Sequence, residues 1–357
     1  MRTSRIAALA GLAGIAVSAT MSFTALGTGT AASAAEGNGR PASYLLEGDA
    51  SAQGGSKFEG IGVDKETGAF YVSEVTGGEI QRGSADSVRA EEWLGGDGTD
   101  GRYTARGITV DDEGRIYIAG GPNGTGNDRP DLWVYSPEGE LLAALRVPDD
   151  NAFLNDVAIG PDGAAYFTNS NDPTIIRVAE GPETTGARSS GELARPLVPS
   201  EGVTARSADG WQAREWADGS SLITPQEGFN LGGIVLSQDR SAFVVAQGTT
   251  GQLWRFSMAT GEVSEIDTDG ADLRNADGLV RQGRDLAVIR NFDKQLVHLE
   301  LTPSATSAEH VSSRATDPDR VLTTGKLLDG RMLLVDSHFD EQTAQGPYEI
   351  VTARMPR

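Results

Sequence analysis

Residues 106–135 read RGITVDDEGRIYIAGGPNGTGNDRPDLWVY, and this stretch holds the unit from which the rest of the chain is built. A short apolar strand around Ile108 and Val110 runs into Asp111-Asp112-Glu113-Gly114, a turn in which glycine accepts the positive φ that other residues resist. An alternating strand follows at residues 115–118, then a glycine- and asparagine-rich segment, then a third strand ending at Tyr135. The same grammar returns as FEGIGVDKETGAFYVSEVTGGEIQR at residues 58–82 and LNDVAIGPDGAAYFTNSNDPTIIRV at residues 154–178. It returns again as NLGGIVLSQDRSAFVVAQGTTGQLWRF at 230–256, NADGLVRQGRDLAVIRNFDKQLVHL at 275–299, and once more at 321–352. The six starts are separated by 48, 48, 76, 45 and 46 residues. Units of this period, each too small to bury its own faces, stack as propeller blades, so the repeat predicts an all-β, six-bladed β-propeller. A β-sandwich would show no such period, and the coils of a parallel β-helix are shorter. Residues 42–46 and 348–355 are candidates to pair within one blade and close the ring.

The 76-residue spacing holds an insertion at about 181–228, rich in Gly, Ser, Pro and charge but carrying Trp211, Trp216, Leu222 and Ile223. Long insertions in repeat folds emerge on one face, which here leaves two readings. One is a lid over the pore; the other is a surface loop plus the outer strand of the fourth blade. At the N-terminus, Arg2 and Arg5 precede an apolar run at residues 6–17, and Ala32-Ser33-Ala34-Ala35 offers small residues for cleavage. This predicts a secretory signal peptide at 1–35, export from the cell, and a single propeller domain at 36–357. The run is too short and glycine-rich to anchor in a membrane.

The formal charge is −21, and it becomes −23 without residues 1–35, which carry two arginines and no acid. Such a surface repels phosphate backbones, which argues against nucleic acid and anionic membranes as partners and favours cations and small molecules. The chain has no cysteine, so disulfides and thiolate metal sites are both excluded. A monomer is the expected state.

In a propeller the first strand of every blade lines the channel, so residues at those strand starts converge. They are Glu59, Arg106, Asn155 with Asp156, Asn230, and Asn275 with Asp277. Singly, each is an ordinary turn-former. Together, carboxylates and amides around one axis are a hard-cation set, suited to Ca²⁺ above Mg²⁺, Mn²⁺ or Zn²⁺. Without a cation, Glu59 and Asp277 would repel each other or force one to hold a proton.

The motifs FEG at 58–60, ND at 155–156, FN at 229–230 and ADG at 276–278 resemble those of the senescence marker protein, gluconolactonase and luciferin-regenerating enzyme family. Within it, the chain looks like the secreted actinobacterial branch. The resemblance runs from residue 58 to the C-terminus. It implies a divalent metal on Glu59, Asn230 and Asp277, a general-base role for Asp277, and substrate contacts from Asn155 and, by a looser match, Arg106. The implied reaction is hydrolysis of a lactone or related small ester by metal-activated water. One departure stands out: Asn230 is followed by Leu-Gly-Gly where many relatives have glycine directly after the asparagine, which can displace it from the metal.

Two other functions fit the same residues. One is a binding or scaffold protein with a structural metal, and the other is a lyase or isomerase that uses the cation to stabilise an enolate. A Ser-His-Asp triad is not expected, since the chain lacks a Gly-x-Ser-x-Gly elbow and has three histidines, His298, His310 and His338. His298 reads as structural, and His338 and Asp336 as turn residues. Asn127, Asp128 and Asp131 lie in a glycine-rich stretch that does not match an ordered calcium loop.

Overall fold

The computed structural model describes residues 40–96, 98–121, 130–147, 149, 151–181 and 210–356. Among these there is no helix, and the strands form six antiparallel four-stranded sheets. The first blade is β2 (Phe58–Val63), β3 (Ala69–Glu74), β4 (Ile80–Ser84) and β5 (Glu91–Leu94). The second is β6 (Ile108–Val110), β7 (Ile116–Ala119), β8 (Leu132–Tyr135) and β9 (Leu141–Leu145). The third is β10 (Leu154–Ile159), β11 (Ala165–Asn169), β12 (Thr174–Glu180) and β13 (Trp211–Asp218). The fourth is β14 (Leu231–Leu236), β15 (Ala242–Gln247), β16 (Gln252–Ser257) and β17 (Val263–Ile266). The fifth is β18 (Ala276–Gln282), β19 (Asp285–Arg290), β20 (Gln295–Leu301) and β21 (Ala308–Ala315). The sixth is β22 (Leu322–Leu328), β23 (Arg331–Asp336) and β24 (Glu349–Arg354), completed by β1 (Ser43–Leu45) as its outer strand.

The first strands β2, β6, β10, β14, β18 and β22 touch one another in a closed cycle, which makes the six-bladed propeller. The ring closes where the paired termini were expected, with Tyr44 opposite Ile350. The core is correspondingly six wedges, each between two neighbouring sheets. One wedge packs Tyr71 and Ile80 of the first blade against Ile108, Ile118 and Trp133 of the second. The closing wedge sets Tyr44 of β1 against Phe70 of the first blade and Val335 and Ile350 of the sixth.

Strand β13 corrects one expectation. Trp211 and Trp216 sit on the outer strand of the third blade, paired along β12, and not on the fourth. The rest of the 181–228 insertion splits in two. Residues 182–209 lie outside the described residues, and Thr224 to Phe229 lead directly into β14 at the channel mouth.

In five blades the second strand ends in a buried polar residue that ties down the loop leading into the first strand. Asn169 accepts from Phe153 N at 2.9 Å, and Arg290 donates to Arg274 O at 2.7 Å. Gln247 donates to Thr224 O at 3.2 Å, and Asp336 accepts from Val321 N at 3.2 Å and from Arg320 at 2.9 Å. Glu74 bonds the Ser56 hydroxyl. Asp336 is therefore part of this clamp. The second blade departs, with Gly120 and Gly121 at the equivalent place.

Candidate active site

Glu59, Asn155 and Asp277 are each aimed by a β-bulge, while Arg106 precedes the unbulged β6. On β2, Phe58 pairs with Glu74 and Ile61 with Val72, so Glu59 and Gly60 together face one residue of β3. The same two-against-one step falls at Asn155-Asp156, Gly232-Gly233, Asp277-Gly278 and Thr323-Thr324. A bulge re-aims side chains out of the regular ladder, here into the channel. The second bulge position is a glycine in three of these blades, and Gly107 plays the part in the second blade. A Cβ on Gly60 would lie 2.1 Å from Arg106 O, one on Gly107 2.4 Å from Asn155 O, and one on Gly278 2.4 Å from Thr324 Cα. The carboxylate-glycine motifs thus combine two jobs: an acid for the pore and a gap for the neighbouring blade. Where glycine is missing, side chains make the joint. Asp156 accepts from Ile234 N at 3.1 Å, and Thr323 donates to Glu59 O at 2.9 Å, closing the sixth blade onto the first.

This register decides which residues meet. Glu59, Arg106, Asn155 and Asp277 all line one cavity of about 330 Å³ at the channel mouth. Arg106 Nη1 forms an ion pair with Glu59 Oε2. Its guanidinium lies 4.6 Å from the Phe153 ring centroid, and its Nε is buried without a partner. Gly121, at φ 52°, leaves the room for this: a Cβ there would come within 2.5 Å of Arg106 Cδ.

Burial pushes the Glu59 carboxyl up, and Arg106 pulls it back. Asp277 is partly buried and lines the cavity. Burial, then the Glu59 and Asp156 charges, push its pKa up to about 8. The Asn291 amide, donating to Asp277 Oδ2 at 2.8 Å, and the more remote Arg106 act in the opposite direction. Below, Lys326 Nζ approaches Asp156 Oδ1 at 3.9 Å. Glu59 and Asp156 therefore each have a cation beside them, and Asp277 has none. It must hold a proton near neutral pH or be met by a bound cation.

Asn230 is the residue that the register moves. The position equivalent to Glu59 and Asp277 in the fourth blade is Gly232, and Asn230 lies two residues earlier. Its Oδ1 already accepts from Gln226 N at 2.7 Å and Gln247 Nε2 at 3.3 Å, while Nδ2 donates to Ser170 O and Gln226 O. The expected metal role for Asn230 does not fit: both lone pairs of its amide oxygen are taken, and it shapes the loop instead. Asn275 lines the cavity but donates to Asp293.

The donors left for a cation are Glu59, Asp277 and the Asn155 amide, which no hydrogen bond within the described residues engages. All are hard oxygens, which suits Ca²⁺ or Mg²⁺. Among the described residues no three Asp, Glu or His side chains gather as a metal cluster, so water and substrate would have to complete the coordination. The histidines are elsewhere: His298 meets Asp285, His310 meets Ser313, and His338 meets Glu341 and Pro347 O. Asp131 accepts from Val147 N in the second blade, while Asn127 and Asp128 lie outside the described residues.

Sequence reading missed Asn291 and the phenylalanines Phe292 and Phe339 at the mouth, with Phe153 behind them, and it reads Phe229 only as part of the FN motif. Asn291 was legible in principle as the residue after the second strand of the blade that carries Asp277. The phenylalanines sit in loops with no periodicity to mark them.

The geometry can be set against known proteins. No protein-family profile matches the chain, and no curated protein matches its sequence. Solved structures do match it. The chain has the fold of a gluconolactonase. The one from Xanthomonas campestris aligns at TM-score 0.54 and 13% identity, over 86% of this chain and 89% of that one. The calcium-binding protein regucalcin from Agrobacterium tumefaciens aligns at 0.54 and 14%, over 88% and 98%. Virginiamycin B lyase from Staphylococcus aureus aligns at 0.52 and 13%, over 84% and 85%. At such identities the shared property is the fold.

Proposed function

We propose that the protein is an exported hydrolase of lactones or related small esters that depends on a divalent cation, Ca²⁺ first among them. The observation that carries this reading is Asp277, a carboxylate at the channel mouth with no cationic partner of its own. The gluconolactonase and the calcium-binding regucalcin support the reading as precedents on the same fold. Glu59, Asp277 and Asn155 would hold the cation, whose chemistry is Lewis acidity toward a carbonyl oxygen. Asn291 fixes Asp277 Oδ2, leaving Oδ1 toward the cavity to take the proton of an attacking water. Asn155 and Arg106 would orient the substrate oxygens.

The test is elemental analysis of the purified protein after dialysis against calcium and magnesium, with hydrolysis followed over a lactone panel. One divalent ion per chain is expected, with both the ion and at least about a hundredfold of activity lost in Asp277→Asn. Retention of the ion without turnover on any lactone would favour a scaffold. Absence of both would remove the proposal.

A further inference from the structure

We infer that the substrate is a neutral lactone or ester bearing an apolar or aryl arm, and not a polyhydroxylated sugar lactone. The inference rests on the hydrolase reading for the reaction, and on a separate set of residues for the arm.

The first argument is the rim. Three consecutive blades each place one phenylalanine in the cavity lining, Phe229 before β14, Phe292 after β19 and Phe339 after β23, and Phe153 before β10 lies buried behind Phe229. Phe229 is 56% exposed and Phe292 51% exposed, although most phenylalanines of the described chain are buried. The Phe229 ring is propped edge-on against Phe153 with centroids 5.3 Å apart. Large apolar side chains held out of the core around a concave mouth mark a binding surface whose occupant covers them.

The second argument counts hydrogen bonds. Of the polar side chains that line the cavity, Asn230 is saturated by its own loop, and Asn291 donates to Asp277 and accepts from Phe292 N. Asn275 gives one N–H to Asp293, and the Glu59 and Asp277 carboxylates are the groups assigned to the cation. Arg106 is held by Glu59. What remain are the Asn155 N–H groups, the Thr249 hydroxyl, which is buried without a partner, the Asn275 amide oxygen at the exposed edge, and the free edge of Arg106. That set can serve the two oxygens of an ester. It cannot also serve the ring of hydroxyls on a sugar lactone, and each hydroxyl buried unpaired would cost about 1–3 kcal/mol.

The third argument is charge. On the floor Arg106 is already paired with Glu59 and Lys326 faces Asp156, and a bound cation would be matched by Asp277. No positive group is therefore left over to pair with a carboxylated or phosphorylated substrate. A neutral molecule with a polar head and an apolar arm satisfies floor and rim together, and a cavity of about 330 Å³ sets it at the small end of ligand size.

The test separates binding from turnover. Calorimetry in excess calcium compares two lactams that are not hydrolysed, 3,4-dihydro-2-quinolinone with its fused aryl ring and the bare 2-piperidone. Hydrolysis compares dihydrocoumarin with D-glucono-δ-lactone. The aryl compounds should be favoured about tenfold or more in both assays. The F229S/F292S double variant should cut that preference to about threefold or less with an unchanged melting temperature, since both side chains are more than half exposed. Equal affinities, no lactam binding, a gluconolactone preference, or a preference untouched in F229S/F292S would each overturn the inference. Phe-dependent lactam binding without turnover of any lactone would instead sink the hydrolase reading and leave the ligand class standing.

Discussion

The two mouths of the axial channel are built from opposite ends of the same six strands, yet they share little chemistry. At the leading ends, five strands carry a bulge, and Glu59, Arg106, Asn155 and Asp277 converge on a cavity of about 330 Å³ under a phenylalanine collar. At the trailing ends the ladders run unbulged into tight turns, as with Gln282 opposite Asp285, and the cavity is larger, about 520 Å³. Its wall mixes Lys65, Arg115, Arg240, Arg281 and Lys326 with Asp111, Asp112, Glu113 and apolar strand residues. Burial and the neighbouring Arg240 push the Arg281 pKa down, so these two cations repel each other. Size therefore does not mark the site. What marks it is the irregularity of the strand, because a bulge turns side chains out of the ladder and the ladder at the other end keeps them in it.

The sharpest way to break this contrast is to substitute glycines at the two ends of β18. Gly278→Ala drives a methyl to 2.4 Å from Thr324 Cα, backbone that cannot yield, and should cost about 3 kcal/mol or more. Gly283→Ala, at φ 63° with open space around it, should cost only about 1 kcal/mol. Urea denaturation of the two variants would show it, and equal losses would deny the close approach.

Glu59→Gln should follow in size. It strands the Arg106 guanidinium, but it also relieves Asp277, so a net loss of about 1–3 kcal/mol is expected. The same variant should lower the pKa of Asp277, read as a shift of the pH profile to lower values.

That profile is the third test. Unfolded, Asp277 ionises near its ordinary value, about 4; folded and free of cation, near 8. Between these values the folded chain holds a proton that the unfolded chain has released, so stability falls as pH rises and levels off above about 8. The loss should amount to about 2–5 kcal/mol in chelator, disappear in Asp277→Asn, and shrink with excess calcium. A flat profile in chelator would show that Asp277 is compensated after all.

The smallest effect belongs to the other mouth. Arg281→Gln removes a half-buried cation that Arg240 repels, so it should leave activity unchanged and stability within about 0.5 kcal/mol. A large loss of activity there would abolish the distinction between the two ends.

Much of this molecule can be read locally. Blade number and ring closure follow from a period and from two terminal strands, and both depend on residues close together in the chain or on patterns repeated along it. The acidic-glycine motifs at 59–60 and 277–278 can be read in the same way, since the demand for an acid and a gap is stated by two adjacent letters. The absence of thiolate chemistry needs only composition.

Other features belong to tertiary structure alone. The chain does not say that Gly232, and not Asn230, takes the pore position of the fourth blade, because a one-step bulge is invisible in an apolar-polar pattern and moves every contact that follows. Nor does it say that Arg106 passes over Gly121 to pair with Glu59, that Asn291 holds Asp277, or that β13 completes the third blade. Each of these joins residues from separate strands or blades. Repeats fix what each blade is made of, but the distances across the hub depend on how all six wedges pack at once.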